Sequence, residues 1–170
     1  MAASHSVPEL IAAAQATVKP SQDRIAELQQ NTHGQSVSAD QADAFRAETA
    51  AIEAASIDVF STFESRMQHH FKRGPFSRKL KSLLLGAGQT DLAHRVYQYY
   101  LAVNVLKHGK GASYRELIAT PNCTFIVMPT EDTAANQLRA SDSLIDVNVP
   151  GFFDGLTGTI LEAYNFLEKQ

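Results

Sequence analysis

One cysteine, Cys123, stands in 170 residues, so no internal disulfide can brace the chain. That usage fits a reducing compartment, and a cytoplasmic setting is expected. No run approaches the roughly 18 apolar residues that a membrane-crossing helix needs. The first residues lack a basic stretch ahead of their mild apolar run, which makes a poor secretory leader. Metal motifs are absent: there is no H-E-x-x-H, and no E-x-x-H pair of the kind that builds di-metal bundles. His69 and His70 are adjacent, so on a helix they diverge by roughly 100° and cannot share one ion as an i, i+4 pair does. Neither a metal nor a cofactor is expected. GKGAS at 109–113 is not a P-loop, since it lacks the four-residue spacer and the Gly-Lys-Ser/Thr ending.

What remains is a chain of ordinary globular composition, 44% hydrophobic. It is long enough to bury a core without covalent staples. One domain over 1–170 is expected, with 1–38 as an N-terminal helical arm and linker. The organising stretch is 91–111, DLAHRVYQYYLAVNVLKHGKG. Leu92, Val96, Tyr99, Val103 and Leu106 recur at spacings of four and three, the stripe of an amphipathic helix. Thr90 or Asp91 is the expected N-cap, and Gly109 the residue that ends the helix. A second stripe runs Tyr97, Leu101, Asn104, His108, with Tyr100 four residues before Asn104. It gathers phenol, amide and imidazole on one face. Such a face suits a phosphodiester or a proton transfer, and equally a structural polar cluster.

Around that helix the pattern predicts a mainly α protein, an antiparallel bundle of about five helices with a small β-hairpin before the last. The first helical region, 8–30, starts at Pro8 and is broken or kinked at Pro20. A polar linker spans 31–38. Ser38 and Gln41 have capping-box spacing and open a long helix to about residue 72. Phe45, Thr49, Ile52, Ser56, Val59, Phe63, Met67 and His70 mark its stripe, widened by Phe60 and Phe71. Pro75 begins a short helix with Phe76, Leu80, Leu83 and Leu84 inward and Arg78, Lys79 and Lys81 outward. Ser113 is expected to start another short helix. CTFIVM at 123–128 and SLIDVNV at 143–149 read as the two strands of the hairpin, a 123–149 insertion in which Cys123 is a small buried strand residue. Phe152, Phe153, Leu156, Ile160, Leu161, Tyr164 and Leu167 define the C-terminal helix.

Charge is unevenly spread. Residues 66–115 hold ten of the fifteen Lys and Arg but one acid, Asp91, so this segment carries +9 within a chain of net −3. It implies either an anion-binding face or pairing with the chain's own acidic helices. Arg66, His69 and Arg73 are candidate anion contacts at the end of the long helix. Tyr97, Tyr100, Lys107 and Lys110 are candidate ligand contacts on the central one.

The string YQYYLAVNVLKHG at 97–109 resembles the helix that carries the signature of HEPN-type domains. That resemblance implies a small helical bundle, often dimeric, and in many members a metal-independent ribonuclease of toxin–antitoxin, phage-defence or RNA-processing systems. Asn104 matches the polar position of the signature and His108 its histidine, implying catalytic roles for both, with His108 moving the 2′-hydroxyl proton. The signature arginine is missing: Leu101, Ala102 and Val103 occupy its place. Loss of an electrostatic stabiliser of that kind costs about 10² to 10³ in rate. The resemblance therefore implies a degenerate, non-catalytic member that forms a homodimer and binds RNA, a nucleotide or a protein partner. An active ribonuclease and a purely structural interaction domain, with the long helix as oligomer interface, are the alternatives.

Overall fold

The computed structural model describes residues 6–123 and 143–170. Within them lie six α-helices: α1 (Val7–Asn31), α2 (Ala39–Met67), α3 (Phe76–Gly86), α4 (Thr90–His108), α5 (Ala112–Ile118) and α6 (Phe152–Leu167). A single 3₁₀ turn, Gln68–His70, closes α2 and replaces the expected helical continuation to residue 72. No helix among the described residues is long and apolar enough to cross a membrane.

Helix starts follow local chemistry. Ser38 forms the expected capping box: its hydroxyl accepts from the Gln41 amide at 3.2 Å, and its own amide donates to Gln41 Oε1 at 2.9 Å. Ser6 does the same for α1, its amide reaching Glu9 Oε2 at 2.6 Å. Pro20 does not break α1, which runs through it for 25 residues. Pro20 and Ala16, whose carbonyl loses its partner, both face solvent. Solvent can therefore reach the carbonyl that the helix leaves unpaired.

The central position of α4 is real: it packs against α2, α3, α5 and α6. It is consequently buried around most of its circumference, with Gln98 and Leu101 as enclosed as Leu92, Val96, Tyr99 and Val103. Its N-cap is Gln89, without a side-chain bond, and neither Thr90 nor Asp91 caps it. Asp91 instead accepts from Arg95 Nε at 2.8 Å. Gly109 ends the helix at φ 70°, a left-handed conformation glycine adopts without strain, and its amide donates to the Val105 carbonyl at 2.8 Å. On α2, Phe45, Thr49, Ile52, Ser56, Val59, Phe60, Phe63 and Met67 are all buried. They face α1, α4 and α6 of this same chain. That apolar stripe is consumed in the core and is not available as an oligomer interface.

The hairpin is the main difference. Of its first expected strand, 123–128, only Cys123 lies within the described residues, half-buried in an irregular segment and not in a strand. Residues 143–149 run as bends and turns with one bridge residue, Ile145. Ile145 and Val147 are buried, so the expected alternation of burial exists without a strand. Local bonds compete with extension: Ser143 Oγ donates to the Ile145 carbonyl at 2.7 Å, and the Asn148 amide to Asp146 Oδ1 at 3.0 Å. Asn148 Nδ2 then ties the segment to Thr49 of α2 at 2.9 Å.

Candidate functional site

Tyr97 and Tyr100 sit three residues apart on α4, hence on one side of it. Both are half-buried, with ring centroids 5.6 Å apart. Lys81 of α3 holds its ammonium 3.9 Å from the centre of the Tyr97 ring, within cation–π range. The Tyr97 hydroxyl donates to Glu116 Oε1 of α5 at 2.7 Å. Burial, then the bond to Glu116 and its negative charge, push this phenol up to about 12, while the positive charge of Arg78 pulls the other way. Arg78 and Lys81 share the exposed side of α3, so cations border the tyrosine pair.

A cleft lies on each side of that pair. The first, of about 400 Å³, is lined by Lys81, Tyr97, His94, Gln98, Glu116 and Asn122, among others. The second, of about 540 Å³, lies between α2, the start of α3, and Tyr100. Its walls include Ser61, Glu64, Ser65 and Gln68 from α2 and Gly74–Ser77 from the following turn. Ser77 is buried and donates its hydroxyl to Glu64 Oε1 at 2.6 Å. Ser61 Oγ is buried with no hydrogen-bond partner. Lys79 lies over Gly74, where a Cβ would come within 2.8 Å of Cε and 3.5 Å of Nζ.

Asn104 and His108 share no hydrogen bond among the described residues. Asn104 is half-buried and donates to Ser113 Oγ of α5 at 3.3 Å, across the turn that follows α4. Ser113 therefore serves as an inter-helix contact, and α5 starts one residue earlier, capped at Gly111. His108 is the exposed last residue of α4, flanked by exposed Lys107 and Lys110. Among the described residues no hydrogen bond or ion pair joins an arginine to Asn104 or His108. Arg95 is thirteen residues from His108, about 20 Å along the helix. It is also occupied, binding Asp91, Glu162 and Thr159. Those carboxylates raise its pKa, with the Glu162 bond as the largest contribution. Arg66 is half-buried, its carbonyl 2.8 Å from His69 Nδ1, and His69 stacks on His70 at 4.2 Å between ring centres. Arg73 is exposed in the α2–α3 connection. Among the described residues no hydrogen bond or ion pair joins Arg66, His69 or Arg73 to Asn104 or His108.

Of the ten Lys and Arg between 66 and 115, only Arg95 forms an ion pair among the described residues. Sequence reasoning singled out Tyr97 and Tyr100 but missed Ser61, Glu64, Ser77 and Glu116. One signal was present: Glu64 is the sole acid in the last two turns of α2, immediately before the basic segment. No three His, Cys, Asp or Glu side chains converge on a common point among the described residues. No protein-family model, no curated protein and no solved structure matches this chain. Its class rests on its own packing, a helical bundle about α4.

Proposed function

We propose that this chain is a non-catalytic, HEPN-like helical module that binds single-stranded RNA across the α3–α4 face. The observation that supports it most is the pair of cations, Arg78 and Lys81, beside the half-buried Tyr97–Tyr100 pair, neither of them in an ion pair among the described residues. Sequence-tolerant single-strand binders combine those two elements: cations follow the phosphates, and aromatic rings stack bases. The non-catalytic part of the reading is supported by the missing signature arginine and by Asn104, which bonds Ser113. A cytoplasmic location and a homodimer belong to the same reading. Because the α2 stripe is internal, a dimer must use another surface, and among the described residues exposed Leu85 and Ile118 are the large apolar side chains open to it.

Anisotropy titration of a fluorescent RNA at several salt concentrations tests the reading. Binding that weakens linearly in log–log form is expected, with a slope of about −0.7 per phosphate neutralised. Arg78→Ala and Lys81→Ala should each reduce that slope by about one contact's worth. No binding at low salt rejects the proposal. In EDTA the RNA should remain intact, whether His108 is present or replaced by alanine. Light scattering across a concentration series tests the dimer.

A further inference from the structure

The cleft beside Tyr100 has a chemistry that backbone binding does not use. Phosphate is a poor occupant, because the Glu64 carboxylate lines it and would repel an anion. A group with adjacent N–H donors is a good one. A carboxylate offers two oxygens and about four lone-pair positions, so Glu64 can hold Ser77 and still accept two further bonds. The Ser77 hydroxyl at 2.6 Å fixes the carboxylate in place before any ligand arrives.

We infer that this cleft takes a guanine base, with Glu64 accepting from N1–H and the N2 amine while the Tyr100 ring flanks the base. The inference rests on the RNA-binding reading and deepens it. Guanine is the one standard base whose pairing edge presents two neighbouring donors. Adenine and cytosine offer one amine beside an acceptor, and uracil one imide donor between two carbonyls. Next to those donors guanine carries the O6 acceptor, and Ser65 and Gln68 add polar side chains to the same lining. Unpaired RNA bases are read in this way, by hydrogen bonds on the pairing edge and stacking on an aromatic ring. An arginine side chain also presents paired N–H donors. A base is preferred because the RNA reading supplies one and the Tyr100 ring lines the cleft, and the test separates it from an arginine ligand.

The test is anisotropy with three fluorescent oligoadenylates: unmodified, with one central guanosine, and with one central inosine, which keeps N1–H and lacks the N2 amine. A bidentate base contact is worth about 1–3 kcal/mol of discrimination, so guanosine should tighten binding by roughly 5- to 150-fold, with inosine between. Glu64→Gln should remove that preference while salt-dependent binding of the unmodified oligomer persists. Equal affinity for all three oligomers overturns the guanine inference and leaves RNA binding intact. No binding of any of them at low salt removes the RNA reading as well. A guanosine preference that survives in folded Glu64→Gln overturns the assignment to this cleft. As a measurement independent of variants, guanosine monophosphate should shift the NMR signals of Gly74 and Ser77 amides and adenosine monophosphate should not. Shifts produced instead by L-argininamide reassign the cleft to a cationic partner and overturn the proposal.

Discussion

Arg95 holds Glu162 with both arms of its guanidinium, Nη1 to Oε1 at 3.1 Å and Nη2 to Oε2 at 2.8 Å. The same side chain bonds Asp91 one turn earlier on α4 and Thr159 on α6. The planar fork thus ties the central helix to the C-terminal one, a use that lysine cannot reproduce. Arg95→Lys should lower stability by about 1 kcal/mol, because the partners are partly solvated and the gain is screened. Thermal denaturation at low and at high salt checks this, and the gap between wild type and variant should narrow as salt rises.

Gly155 of α6 faces Tyr99 so closely that an added Cβ would run into the phenol oxygen. Tyr99 is buried and bonds the Phe152 carbonyl at 3.3 Å, so it has little room to retreat. Gly155→Ala should therefore destabilise by about 1–3 kcal/mol, despite alanine's better helix propensity. Tyr99→Phe removes the obstructing oxygen, so the double variant should recover part of that loss. Urea unfolding of the four-member cycle measures the coupling.

Tyr97 and Tyr99 both ionise late, each pushed up to about 12 with burial as the leading cause. Their folded pKa lies above the ordinary phenol value of 10.0. Both therefore support the fold in full below that value and withdraw the support as pH climbs toward about 12. Tyrosinate absorbance during alkaline titration should show two of the five tyrosines ionising late, and Tyr97→Phe should reduce that late amplitude by half.

Glu53 of α2 carries a buried Oε1 with no hydrogen-bond partner. Desolvation raises its pKa, and the nearby Ser143 hydroxyl, which is committed to the Ile145 carbonyl, opposes this only in part. A raised carboxyl favours the fold when protonated, below the ordinary glutamate range, and loses that contribution as pH rises. Glu53→Gln should raise the melting midpoint at pH 7 and make little difference in mild acid. Calorimetry at the two pH values decides it.

Much of the fold was legible in the sequence because it depends on short-range periodicity. The α2 stripe from Phe45 to Met67, the Ser38 box and the Gly109 stop all follow from which side chain recurs every three or four residues, or from one local hydrogen bond. Pro20 did not break α1, because a proline's cost depends on whether the carbonyl it orphans faces water, and here it does. SLIDVNV misled because its alternation reports burial of Ile145 and Val147, while Ser143 and Asp146 bond their own backbone and turn the chain.

The candidate site divides in the same way. By itself the sequence determined that Tyr97, Tyr100, Asn104 and His108 would share a helix, since a 3.6-residue repeat is a local property. It also determined that no arginine stands at the signature position and that 66–115 is basic. Only the tertiary structure decided that Asn104 turns to Ser113, that Arg95 is engaged by Glu162, and that Ser77 and Glu64 meet beside Tyr100. Those partners lie 9, 67 and 13 residues apart along the chain. The packing of α3, α5 and α6 around α4 chooses them, and helical period carries no information about which helices will face one another.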